Sequence, residues 1–167
     1  MIKLLRRFVL VGVLFYGGIV LGADAPVLAP DFAIQTREGH MITRASLAGK
    51  PTLMVFWASS CEVCREELPK IHQLFKKTQG TLGVVAIGFL DGKEAIMGYV
   101  KSHAETFSFP TAYDKDDQVA ETFRVRATPT LFLLDQEGRI VLTYRGGGLI
   151  ESPHFPPLLK KLGVKMS

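Results

Sequence analysis

Cysteine is scarce in this chain of 167 residues, which has only two. Two thiols exclude a disulfide-stapled scaffold and a four-thiolate zinc site. A strong charge of either sign is also missing. Lys and Arg number 20 against 16 Asp and Glu, and three of the basic residues, Lys3, Arg6 and Arg7, fall among the first seven positions. Without those three the balance is 17 to 16. No basic face is left to neutralise phosphates, so the composition speaks against a nucleic-acid binder. There is no internal repeat and no low-complexity tract, and tryptophan occurs once, as Trp57. A hydrophobic fraction of 47% with 22% charged residues excludes disorder as the main state. The length fits one compact domain.

One stretch lacks charge altogether. Phe8 to Ala23 is an unbroken run of apolar or small residues behind the basic first seven. This is a secretory signal pattern, and residues 1–23 are expected to be a signal peptide or an N-terminal membrane anchor. No Cys follows the run, which excludes lipid attachment at a lipobox cysteine. Either way, the basic end stays in the cytoplasm and the remainder is exported, to a periplasmic or other extracytoplasmic location, secreted or held at the inner membrane. Residues 24–30, with Pro26 and Pro30, read as a linker before a folded domain over 31–164.

Within that domain, Thr52 to Trp57 is continuously apolar, as is a strand buried on both faces of a sheet. Leu68, Ile71, Leu74 and Phe75 then repeat at spacings of three and four, predicting an amphipathic helix from Cys61 to about Gln79. A second buried strand is expected at Thr81 to Leu90 and a second helix at Glu94 to His103, which implies a parallel pair with a right-handed crossover. A short helix at Gln118 to Phe123 follows. Strands at Thr130 to Leu134 and Arg139 to Tyr144 flank the turn Asp135-Gln136-Glu137-Gly138 as a hairpin, and a closing helix starts near Pro156-Pro157. The expected class is α/β, a central mixed sheet with helices on both faces.

Both cysteines lie in one unit, Cys61-Glu62-Val63-Cys64, at the junction of a buried strand and a helix. Unpaired N–H groups and the positive end of the helix dipole stabilise an anion there, which draws Cys61 below the ~8.5 of a free thiol. The thiolate is the attacking species in disulfide exchange, and Cys64, one turn on and facing inward, is placed to resolve the mixed disulfide. As a mere staple the pair would close too small a loop to matter, restraining the unfolded chain by roughly 2 kcal/mol. Two thiols at this spacing also suit copper(I), with His72, His103 or His154 as further ligands, although none of these sits at a ligand-like spacing. Glu67, three residues after Cys64, falls on the same helix face, as a proton partner of the resolving thiol or as a simple dipole partner. Pro129, in Thr128-Pro129-Thr130, is a strand-entry residue or, if its peptide bond is cis, one that bares neighbouring backbone to an extended peptide. Trp57 packs beneath the motif or, on a second reading, touches substrate.

The pattern resembles the thioredoxin superfamily, and within it the exported thiol-disulfide oxidoreductases of the TlpA and ResA type. The residues that carry the likeness are Ala29-Pro30-Asp31-Phe32, Leu47-Ala48-Gly49-Lys50, Phe56-Trp57-Ala58-Ser59 leading into Cys61 and Cys64, Glu67-Leu68-Pro69, Phe109-Pro110 and Ala127-Thr128-Pro129-Thr130, with the turn from Asp135 to Gly138. The resemblance implies a thioredoxin-like domain, a redox disulfide between Cys61 and Cys64, and catalytic roles for Cys61, Cys64, Glu67 and Pro129. It also implies a cis bond at Pro129 and a substrate surface that includes Trp57, Thr128 and Pro129. The sequence departs from the pattern at Ser60, where an aromatic residue is usual, and at Val63, where Pro is common.

The activity so implied is reduction or exchange of disulfides in periplasmic proteins, with cytochrome c maturation as one role of the class. Cofactors and resident metals are not called for. The expected partners are protein substrates carrying disulfides or thiols and a membrane electron donor; no nucleic acid is expected, and membrane contact only through the N-terminal segment. Two other readings stay open at this point, a copper-carrying module using the same thiols and a thiol peroxidase. The second is weakened by Met54 and Ala58, where peroxide-reducing relatives place a Pro and a hydroxyl residue.

Overall fold

The computed structural model describes residues 26–167. The segment expected as a signal peptide or anchor therefore lies outside the described residues, and no described helix is long and apolar enough to cross a membrane. The strands are β1 (Val27–Leu28), β2 (Ala33–Gln35), β3 (Met41–Thr43), β4 (Thr52–Trp57), β5 (Gly83–Gly88), β6 (Thr111–Tyr113), β7 (Thr130–Leu134) and β8 (Arg139–Arg145). The helices are α1 (Glu62–Lys77), α2 (Lys93–Ser102), α3 (Gln118–Thr122) and α4 (Phe155–Lys161).

Six strands form one mixed sheet in the order β1-β8-β7-β4-β5-β6, and β2 and β3 make a separate hairpin. β4 is central, parallel to β5 and antiparallel to β7. The unbroken apolar runs of the sequence have a plain cause. In β4, Leu53, Val55 and Trp57 face a core closed by α1, α2 and α4, while Met54 and Phe56 face a second core with α3 and the hairpin. β5 and β7 divide their side chains in the same way. Both faces of the sheet are covered, as a strand without polar alternation requires.

One edge differs from expectation. Val27 and Leu28, inside the stretch read as a linker, pair with Ile140 and Arg139 of β8, and Ala29 donates its N–H to Gly138. A proline-flanked segment is barred from a central strand but not from an edge, and here it takes the edge. β6 follows the Phe109-Pro110 pair that belongs to the resemblance; it is three residues long and completes the parallel side of the sheet against β5. At the other end of the chain, order continues past residue 164. Lys165 donates to Thr81 Oγ1, and Ser167 donates to the carbonyl of Lys77 at the last turn of α1.

Candidate active site

The site begins with topology. β4 and β5 are parallel neighbours, so the turns that leave their carboxyl ends lie at one edge of the sheet, the usual place for chemistry in open α/β folds. β7 enters at the same edge from the other side. Phe56 pairs with Thr130, which sets Thr128 and Pro129 beside the end of β4, from which the cysteine turn departs. The Thr128–Pro129 peptide bond is cis, as the resemblance implies. Thr130 Oγ1 donates to the Ala127 carbonyl and Gly146 N–H donates to that of Pro129, which fixes this segment from both flanks.

Cys61 is the N-cap of α1, in extended conformation, and it is disulfide-bonded to Cys64 with their Cα atoms 5.3 Å apart. Its sulfur accepts the N–H of Cys64 at 3.1 Å. A sulfur therefore stands where an Asp or Ser oxygen would ordinarily satisfy the first turn of a helix, and on reduction the same N–H faces the thiolate. Cys64 is fully buried while Cys61 is half-buried, so an incoming partner reaches Cys61 first.

The two sides of the disulfide are built differently. On the helix side, Glu67 is 3% exposed and pairs through Oε1 with Lys70 Nζ at 3.0 Å. Its other oxygen, Oε2, accepts no hydrogen bond from the described residues. Lys70 also reaches Glu151 at 2.5 Å. The Glu151 and Glu67 carboxylates hold the Lys70 ammonium well above its ordinary range, and Lys70 in turn holds Glu151 below its own. The lid over Glu67 is the loop Gly146 to Gly148. A Cβ at Gly147 would stand 2.9 Å from Val63 Cγ1 and 3.2 Å from Glu67 Oε1, so any larger residue here would force Val63 or Glu67 to shift. Tyr144 donates its hydroxyl to the Gly147 carbonyl at 3.0 Å and holds the loop down.

On the turn side stands a residue that the sequence reading did not single out. Asp91, just after β5, accepts from Ser59 Oγ at 2.6 Å, Ser60 N–H at 2.8 Å and Ser60 Oγ at 2.9 Å. Hydrogen bonding from Ser59 above all holds its carboxyl below the ordinary Asp value. The signal available in the sequence was topological: two parallel strands end together, so Asp91 and the Ser59-Ser60 pair had to meet.

Trp57 is completely buried, against Tyr99 and Phe107, so a direct contact with substrate is closed to it. Thr128 is half-buried and Pro129 buried. Two of the three candidate copper-ligand histidines are occupied elsewhere, and His154 sits at the start of α4, where only its backbone N–H bonds, to Ser152 Oγ. His72 bonds Ser108, and His103 stacks on Tyr99 and bonds its carbonyl. Among the described residues no group of three or more His, Cys, Asp or Glu side chains gathers to hold a metal.

Known proteins are similar to this chain in sequence and in fold. Thiol-disulfide oxidoreductase ResA of Bacillus subtilis is 33% identical over 120 residues, covering 71% of this chain and 65% of ResA. Thioredoxin-like protein YneN of the same organism is 34% identical over 114 residues, 67% of this chain and 66% of YneN. The match thus spans just under two thirds of these relatives' own length. The solved structure of a thiol:disulfide interchange protein of the thioredoxin family from Chlorobium tepidum superposes with a TM-score of 0.70 at 25% identity, over 84% of this chain and 99% of that one. The AhpC/TSA family model matches residues 27–143. That stretch opens at β1 and takes in the cysteine turn, Asp91 and the Thr128–Pro129 bond, and on that ground the chain belongs to the AhpC/TSA family, with a thioredoxin-like fold.

Proposed function

We propose that this protein is a thiol-disulfide oxidoreductase that reduces or exchanges disulfides in exported proteins, including steps of the cytochrome c maturation class. The observation that supports this most directly is a buried Cys64 joined to a more accessible Cys61 whose sulfur caps a helix start. In the reduced protein the Cys61 thiolate attacks one sulfur of a substrate disulfide and expels the other as a thiolate, forming a mixed disulfide. Cys64 gives up its proton and attacks Cys61 Sγ. Substrate leaves as a dithiol, and Cys61–Cys64 closes as the disulfide, two electrons having passed to the substrate. Glu67 is the group we assign to take the Cys64 proton, since its Oε2 is buried and free of other donors. Thr128, half-buried and fixed beside the sulfurs by the cis bond to the buried Pro129, is the residue we assign to meet an extended substrate segment.

To act again the enzyme must regain two electrons and two protons, which we assign to a membrane-bound dithiol donor. The N-terminal segment, as a signal or an anchor, would place the domain outside the cytoplasm within reach of that donor. The deciding experiment is equilibration of the purified domain with glutathione buffers, read by trapping the thiols, together with insulin reduction by the dithiol form. Reversible opening of the Cys61–Cys64 bond with a single midpoint, and turnover of insulin, are expected. A pair that stays closed in excess dithiothreitol would overturn the reading. A midpoint near −270 mV marks a reductant and one near −120 mV an oxidant, by comparison with thioredoxin and DsbA.

A further inference from the structure

Asp91 is bound to the cysteine turn three times over, and all three hydrogen atoms point at its carboxylate. Such an acceptor is held as an anion. One of the donors is the backbone N–H of Ser60, the residue immediately before Cys61, so the charge is fixed one residue from the reactive cysteine. The approach that brings Asp91 there is itself costly. Leu90 has φ of 70°, in the left-handed region, and the residue is 60% exposed. A leucine held in that conformation and left open to solvent marks a turn retained for something other than stability. Asp117 fixes it by accepting the Leu90 N–H at 3.0 Å.

From this geometry we infer that Asp91 is a positioning residue of the redox site. Its carboxylate ties down the Ser59–Ser60 turn and keeps a negative charge beside Cys61, so that Cys61 is a weaker thiol acid than its place at the helix start alone would make it. The helix end favours the thiolate and Asp91 opposes it, which leaves the reduced enzyme with less thiolate at neutral pH than the helix start alone would give. The inference rests on the oxidoreductase reading for its meaning, but not for its test. The other charges near this end of the sheet are Glu62, Arg65, Glu66 and the Glu67–Lys70 pair on α1, Lys93 and Glu94 on α2, and Asp117. They are the same in wild type and variants and drop out of the comparison.

The test is the rate of alkylation of Cys61 by iodoacetamide in the reduced protein, as a function of pH, for wild type, Asp91→Asn and Ser60→Ala. Only the thiolate reacts. Asp91→Asn is expected to react about three to ten times faster at pH 7 and no faster on the high-pH plateau, the result of a lowered thiol pKa. In 1 M KCl, where the screening length falls to about 3 Å, that advantage should shrink toward one. Ser60→Ala keeps the charge and two of the three bonds, and should stay within about twofold of wild type. A wild-type rate for Asp91→Asn at pH 7, or an excess that survives high salt, overturns the inference, since a merely loosened turn would be insensitive to screening. If Asp91→Asn does not fold, Asp91→Ser serves with the same two outcomes. Failure of the oxidoreductase reading would show separately, as a dithiol that alkylates normally but never exchanges with disulfides.

Discussion

The turn side and the helix side of the disulfide each carry one carboxylate, and the two are opposites. Asp91 is partly open to solvent and saturated with donors, whereas Glu67 is sealed in and half-satisfied. A saturated carboxylate acts as a fixed charge and does not move protons. One with a buried oxygen lacking a donor has a place for a proton to go. The contrast assigns steady electrostatics to one side and proton exchange to the other, with the sulfurs between them.

The most severe way to break this contrast is to remove the sulfurs in turn. Cys61→Ser should abolish insulin reduction, while Cys64→Ser should still attack substrate and accumulate a mixed disulfide visible as a mass increase on non-reducing analysis. A trapped adduct on Cys64 in the Cys61→Ser protein would reverse the assigned roles. Next in size, Glu67→Gln keeps the shape but cannot take a proton, and turnover should fall by about 100-fold, the lower end for loss of a general acid–base group. Steady-state insulin assays across pH would read it, and an unchanged profile would leave Glu67 a structural ion-pair partner. Gly147→Ala pushes a methyl against Val63 and Glu67 and should lower stability by about 1 kcal/mol in urea unfolding. Val63 is 43% exposed and can yield, which keeps the effect near the bottom of the overpacking range. On the turn side the sign reverses: Leu90→Gly relieves the left-handed backbone and should stabilise by about 1 kcal/mol or slightly less. The smallest effect concerns pH. Asp91 has its carboxyl lowered on folding, so the stability it lends is complete above the ordinary Asp value of about 3.9 and is lost only as pH falls through its lower folded value. In the disulfide form, where Cys61 does not titrate, near-neutral melting temperatures should therefore be flat with respect to this residue, and a wild-type minus Asp91→Asn difference that changes between pH 6 and 8 in that form would contradict it.

Much of this was legible because it is local. β4, β5 and β7 announce themselves as apolar runs, since each is buried on both faces and has no polar alternation to hide it. The spacing of Leu68, Ile71 and Leu74 fixes the buried face of α1 and, with it, the inward aim of Cys64 and Glu67. What could not be read is long-range. β1 exists only because β8 offers an edge more than a hundred residues away, and nothing in Val27-Leu28 itself encodes that pairing. Three-residue β6 carries too little periodicity to stand out. The partnership of Asp91 with Ser59 and Ser60 spans about thirty positions and is a product of strand adjacency. Trp57, read either as core or as contact, was decided by packing against Tyr99 and Phe107, two rings supplied from later in the chain.

The carboxyl-terminal tail has a practical meaning. Ser167 is fastened to the last turn of α1, and sixteen residues of helix put that point about 24 Å from the sulfurs. A fluorophore or surface linker attached there would sit at the opposite pole of the redox helix. The protein could thus be wired to an electrode or tracked by fluorescence with its reactive face left free.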